Sequence, residues 1–276
     1  MALPATDEAL RISACLQLGF IPADAACIAQ AWQAQIARTG NTTDWPDAPQ
    51  DFGLRPWPRQ DAFPCCPQQL GLYAVLPDAA WVGRMVRAGV PTVQLRFKSD
   101  DAQAIAQEVA AAVAAVQGTS ARLFINDHWQ AAIQAGAYGV HLGQEDLDVL
   151  QPVDLDAIRT AGLRLGVSTH GYAEMQRADR VSPSYIALGA VFPTTLKRMA
   201  TAPQGTARLA AYARLLRGYP LVAIGGIDTE RLPEVLASGV GSIGVVRALT
   251  AAADPELAAA ELGATIQKFL TTAQKR

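Results

Sequence analysis

The sequence predicts an α/β fold, a (β/α)8 barrel preceded by a short helical extension, and three observations carry that prediction. Eight short runs rich in apolar and branched residues recur from residue 72 to residue 246. Helical stretches separate them, several closed by a glycine suited to a left-handed cap. Polar side chains gather where the runs end, the face on which barrel enzymes place their chemistry. The expected strands are 72–76, 92–98, 123–126, 139–142, 165–168, 185–191, 221–224 and 242–246, with helical stretches at 79–88, 101–116, 129–135, 209–216 and 231–237. Eight βα units over about 200 residues fit a closed barrel, and a doubly wound open sheet is the alternative.

Taken in order, the second strand is the most informative. In Thr92-Val-Gln-Leu-Arg-Phe-Lys98 the residues Gln94, Arg96 and Lys98 alternate with Leu95 and Phe97. Strand side chains alternate between faces, so one face carries an amide, a guanidinium and an ammonium. A barrel interior is normally filled by aliphatics, so this stripe requires a polar guest, and an anion is the natural one. The third strand ends in Asn126-Asp127, and the fourth, Gly139-Val-His-Leu142, runs into Gly143-Gln-Glu-Asp146. Two carboxylates on neighbouring strand ends, Asp127 and Asp146, beside Arg96 and Lys98 suit Mg2+ completed by water and phosphate oxygens. Either Asp alone would more simply cap the next helix.

The fifth strand ends in Gly166-Val-Ser-Thr-His170, Phe192-Pro-Thr-Thr-Leu-Lys197 follows the sixth, and the seventh ends in Ile224-Gly-Gly-Ile227. The paired glycines allow a phosphate to meet backbone N–H groups, or form only a tight βα turn. His128, His141 and His170 are expected to be structural hydrogen-bonding residues, with His141 the exception because it lies within a strand.

Composition bounds the function. The 276 residues are 50% hydrophobic and 17% charged, enough for a sizeable core, and a net charge of −2 offers no general attraction for nucleic acid or an anionic membrane. Partners are therefore expected to be small molecules; a homo-oligomer stays open. Cys15, Cys27, Cys65 and Cys66 lack paired CxxC spacing and read as reduced thiols. The amino terminus has no basic region followed by an apolar core, so a cytoplasmic location is expected and the sequon at Asn41 carries no consequence. The alanine-rich stretch 104–116 is too short to span a bilayer.

Six motifs in register, Gln-Leu-Arg-x-Lys (94–98), Phe-Ile-Asn-Asp (124–127), Gly-Val-His-Leu-Gly-Gln-x-Asp (139–146), Gly-Val-Ser-Thr-His (166–170), Phe-Pro-Thr-x-x-Lys (192–197) and Ala-Ile-Gly-Gly-Ile (223–227), resemble those of the thiamine-phosphate synthase (thiamine-phosphate pyrophosphorylase) family over roughly residues 70 to 270. The resemblance implies a transferase that joins 4-amino-5-hydroxymethyl-2-methylpyrimidine diphosphate to thiazole phosphate through a pyrimidinylmethyl cation, releasing pyrophosphate. It implies that Gln94, Leu95, Arg96, Phe97, Lys98, Asn126, Ser168 and Lys197 hold the pyrimidine diphosphate, with Arg96, Lys98, Lys197 and Ser168 serving the chemistry. It implies Mg2+ on Asp127 and Asp146, and the thiazole phosphate at Thr194, Thr195, Leu196, Gly226, Val246 and Arg247. Two positions depart from the family pattern: Leu196 stands where a threonine is usual, removing a hydrogen bond worth about 1 kcal/mol, and Arg247 stands where a serine is usual. Arg247 either clasps a phosphate or occupies its place.

Two rivals remain at the sequence level. A thiazole tautomerase of the same superfamily would share the barrel but not need the whole polar stripe with Asn126, Asp127 and Lys197. A non-catalytic homologue would keep the pyrimidine site while Leu196 and Arg247 alter the thiazole site. Ahead of the barrel (70–276), residues 1–40 read as a helical extension, with helices at 9–18 and 23–37, and 41–69 as a proline-rich linker. The stretch 19–32 is similar to the final helix of ribokinase-like hydroxymethylpyrimidine phosphate kinases, so the extension reads either as the remnant of a fused kinase or as an arm that packs on the barrel.

Overall fold

Parallel strands need a crossover of a dozen or more residues, usually a helix, between each pair, so a chain that alternates short apolar runs with helices can remove its sheet edges only by rolling the sheet closed. The computed structural model, described for residues 7–194 and 201–273, shows that closure. Two helices come first, α1 (Asp7–Gln17) and α2 (Pro22–Thr39), then a 3-10 turn at Pro49–Phe52. The first half of the barrel runs β1 (Gly71–Leu76), α3 (Ala79–Arg87), β2 (Thr92–Leu95), α4 (Ala102–Val116), β3 (Arg122–Asn126), α5 (Trp129–Ala135) and β4 (Gly139–Leu142). The second half runs α6 (Gln144–Val149), α7 (Pro152–Thr160), β5 (Arg164–Thr169), α8 (Tyr172–Val181), β6 (Tyr185–Leu188), α9 (Gly205–Leu215), β7 (Leu221–Ile224), α10 (Leu232–Leu236) and β8 (Ser242–Val245). A short α11 (Arg247–Thr250) and the long α12 (Pro255–Ala273) follow. Every strand pairs in parallel with its neighbours in chain order, and β8 pairs back to β1. The open-sheet alternative is thereby excluded.

The second strand is shorter than its alternation predicts. Its ladder ends at Leu95, paired with Leu76, the last residue of β1, and with Ile125 of β3, and a further bond, Arg96 N to Leu76 O at 2.7 Å, extends it. Likewise β6 stops at Leu188 rather than at residue 191. The alternation nevertheless continues past the ladder, so Arg96 and Lys98 still face the same cavity as Gln94.

Two cores share the strands. Residues such as Leu72, Ala74, Val93, Ile125, Val140, Val167 and Ile243 face outward and pack beneath the helices. Inside the barrel, Tyr73, Phe124, Tyr185, Ala187 and Val222 form a second core that is aromatic rather than aliphatic. Glycines make that possible: a Cβ at Gly139 would sit 2.6 Å from Phe124, and one at Gly166 would collide with the Tyr185 ring. Small residues on β4 and β5 thus admit large rings from β3 and β6.

The stretch 41–69, expected to be a linker from its prolines, packs against the barrel along its length. Phe52 and Phe63 are buried, Phe52 stacks on Tyr172 of α8 at 4.9 Å, and Arg59 donates to Asp179 Oδ1 at 2.6 Å. Its prolines set local backbone and remove donors but do not keep it away from the barrel. Among the described residues, no helix is long and apolar enough to cross a membrane.

Candidate active site

At the carboxyl ends of the strands lies a cavity of about 780 Å³. Its floor is the aromatic layer, and above that layer the inward strand positions become polar. Tyr73 and Tyr185 join hydroxyls at 2.7 Å, Tyr185 reaches His141 Nδ1 at 2.6 Å, and His141 Nε2 meets Ser168 Oγ at 2.8 Å. Gln94 Nε2 donates to Asn126 Oδ1 at 3.2 Å beside this chain. Burial pushes the His141 imidazole down to about 4, with Asp127 opposing weakly, so near neutral pH the ring is uncharged and passes one donor and one acceptor along the network. His128 Nε2 binds Phe97 O at 3.0 Å, and His170 Nδ1 binds Glu174 Oε2 at 2.7 Å.

The rim over β2 to β4 concentrates charge. Asp127 adopts a left-handed conformation, φ 65°, which aspartate tolerates better than most residues. Its side chain is not a helix cap. Instead Asp127 Oδ2 accepts from Lys98 Nζ at 2.5 Å. Asp146 does serve its helix, accepting from Gly143 N at 2.7 Å. Burial raises the Asp146 carboxyl above the ordinary carboxylate range and the nearby Asp127 raises it further, while the Gly143 N–H and Lys98 oppose. Two like charges forced together in this way favour a cation between them. Among the described residues no group of three or more His, Cys, Asp and Glu side chains is arranged for a metal. Two carboxylates with open space beside them suit a hard ion that keeps waters and takes phosphate oxygens, as Mg2+ does. Arg96 also faces the cavity, and its guanidinium has no hydrogen-bond or ion-pair partner among the described residues.

Across the cavity, Thr194, Gly225, Gly226, Ile227, Val246 and Arg247 line the β6 to β8 side. Gly226 has φ +68°, and a Cβ there would press within 2.7 Å of Pro193 O, so glycine is required on both counts. Arg247 is exposed and turned to the cavity. Leu95 on the opposite face of β2, and Phe97 just past its end, pack into the outer core, so their side chains do not reach the cavity. Thr195, Leu196 and Lys197 lie outside the described residues.

The cavity includes residues that motif spacing did not single out. Tyr73 and Tyr185 resemble ordinary core residues in sequence; the available signal was that each occupies the inward register of its strand, two residues before Val75 and Ala187. Arg231 lies on the loop after β7, donates to Gly226 O at 2.7 Å and stacks over Phe192 at 4.8 Å. No periodic pattern marks it.

The thiamine monophosphate synthase family model matches residues 71–249, from the first residue of β1 to α11. The thiamine-phosphate synthase of Neisseria meningitidis serogroup B (strain ATCC BAA-335 / MC58) is 57% identical over 194 residues, covering 70% of this chain and 93% of the relative. That of Salmonella paratyphi B (strain ATCC BAA-1250 / SPB7) is 55% identical over 203 residues, covering 74% and 95%. Among solved structures, thiamine phosphate pyrophosphorylase from Pyrococcus furiosus superposes with a TM-score of 0.63 at 27% identity, covering 73% of this chain and 97% of that one. With the barrel and the rim residues in place, the chain belongs to the thiamine-phosphate synthase family.

Proposed function

We propose that the cavity condenses 4-amino-5-hydroxymethyl-2-methylpyrimidine diphosphate with thiazole phosphate to give thiamine phosphate and pyrophosphate. The observation that carries this is the unpaired Arg96 guanidinium beside Lys98 and the Asp127–Asp146 pair, set over a floor of flat rings at Tyr73 and Tyr185. The bond that breaks joins the pyrimidine methylene carbon to a diphosphate oxygen, and its electron pair leaves with pyrophosphate. The bond that forms uses the lone pair of the thiazole nitrogen on the resulting pyrimidinylmethyl cation, so no proton need be removed. Arg96 and Lys98 place positive charge where negative charge accumulates, and fixed charge of this kind usually lowers a barrier more than any other single effect. Asp127 and Asp146 would hold Mg2+, which would supply further positive charge to stabilise the pyrophosphate leaving group. Gln94, Asn126 and Ser168 present hydrogen bonds to the pyrimidine, with neutral His141 holding the Ser168 hydroxyl, and the aromatic floor excludes water from the cation. Lys197 is proposed to reach the same diphosphate.

Calorimetry with pyrophosphate tests the diphosphate subsite. Binding is expected to tighten by about tenfold or more when Mg2+ is present, and equal binding with and without Mg2+ would remove the two-carboxylate metal site.

The thiazole side carries a second expectation. Because Arg247 faces the cavity with Thr194 and Gly226, it is read as a clasp on the thiazole phosphate rather than as an obstruction. Arg247→Ser is expected to raise KM for thiazole phosphate roughly fivefold, about 1 kcal/mol for a partly exposed charged contact, and to leave KM for the pyrimidine diphosphate unchanged. An unchanged or lowered thiazole KM would show that Arg247 does not hold the phosphate.

A further inference from the structure

Helix α8 is preceded at its N-cap position by Gly171, which has no side chain to cap it, yet the first N–H groups of any helix need acceptors. The acceptor comes from far upstream. Asp24 of α2 is buried, and its Oδ1 accepts from Ala173 N at 2.9 Å. The missing side chain at Gly171 admits it, since a Cβ there would collide with the Asp24 carboxylate. The middle of α8 is held too: Gln176 Nε2 donates to Phe52 O at 2.7 Å, and Phe52 stacks on Tyr172. Near its far end Asp179 takes Arg59 at 2.6 Å and Arg55 N at 3.0 Å. Residues 24 to 59 thus grip one barrel helix at both ends and in between.

That helix follows β5, where Ser168 near the strand's end and His170 just past it line the cavity. The connection is direct, because Glu174 in the first turn of α8 accepts from His170 N at 2.8 Å and contacts its ring at 2.7 Å. The family match begins at residue 71, so the grip comes from outside it. We propose that residues 22–69 form an intramolecular brace for α8, and that Asp24 is a positioning residue for the β5–α8 corner that presents Ser168 and His170. The kinetic consequence rests on the assignment of Ser168 to the pyrimidine diphosphate half-site.

Asp24→Ala and Asp24→Asn in the full chain test this. The alanine variant is expected to raise KM for the pyrimidine diphosphate roughly tenfold, since small displacements of positioned groups weigh heavily, while KM for thiazole phosphate stays put. Asparagine caps as well as aspartate and should restore the wild-type value. Hydrogen exchange at amides 168–174 should accelerate in Asp24→Ala and not in Asp24→Asn, a comparison that needs no turnover. Should the wild-type chain prove inactive, the proposed function falls while the exchange result still decides the brace. Wild-type exchange at 168–174 in Asp24→Ala, or both KM values rising together with a lower Tm, would overturn the positioning role. If Asp24→Ala does not fold, Gln176→Ala is read by the same exchange and KM comparison.

Discussion

Arg96→Ala is expected to lower kcat for the condensation by roughly 10²–10³, the usual consequence of removing one preorganised group aimed at developing charge. Arg96 is singled out over Lys98 because its guanidinium is uncommitted among the described residues, whereas Lys98 neutralises Asp127 at 2.5 Å. Removing Lys98 would also leave Asp127 uncompensated beside Asp146, so its loss mixes two effects. Stability should change by less than about 1 kcal/mol in Arg96→Ala, since no partner is left unpaired. Steady-state kinetics with both substrates saturating checks this. A decrease in kcat below about threefold, under 1 kcal/mol of barrier, would mean that the leaving group departs elsewhere.

The largest stability effect is expected in the 41–69 stretch, at a pair that does not line the cavity. Arg59 and Asp179 form an ion pair with side chains only 4% and 2% exposed. Tyr219 OH also donates to Asp179 Oδ1 at 2.8 Å, and Arg59 stacks over Trp57 at 4.6 Å. Removing one partner of a buried pair leaves the other charge away from water, here with only the more distant Arg55 at 3.9 Å to offset it, and such losses cost about 3–5 kcal/mol. Arg59→Met is therefore expected to lower the unfolding free energy by about that amount, read from the urea midpoint at unchanged slope. Pairing it with Asp179→Asn should recover most of the loss, because the stranded charge is gone. A loss below about 1 kcal/mol in Arg59→Met alone would show that water reaches Asp179.

How much of this was legible depended on how far apart in sequence the relevant groups lie. Gln94, Arg96 and Lys98 were visible because a strand alternates with period two, and the alternation persists even where the ladder has ended at Leu95. Asp127 and Asp146 were visible as strand-end carboxylates, and their neighbouring strands bring them together. The floor was not: Tyr73 and Tyr185 are ordinary apolar-run residues until the glycines at 139 and 166 are seen to make room for rings. Arg231 had no signal, since it depends on the turn that places Gly226 O in reach. The packing of 41–69 on the barrel was not legible, because prolines report local backbone, while its anchors, Arg59 on Asp179 and Phe52 on Tyr172, join residues more than a hundred positions apart. Leu95 and Phe97 turn their side chains to the other face, so within the motif it is their backbone that lies along the cavity side.

The central claim concerns turnover. The full chain incubated with the pyrimidine diphosphate, thiazole phosphate and Mg2+ should form thiamine phosphate and pyrophosphate in equal amounts, and should form neither product when the Mg2+ is chelated. Pyrophosphate released without thiamine phosphate, or no product from either substrate under those conditions, would contradict it.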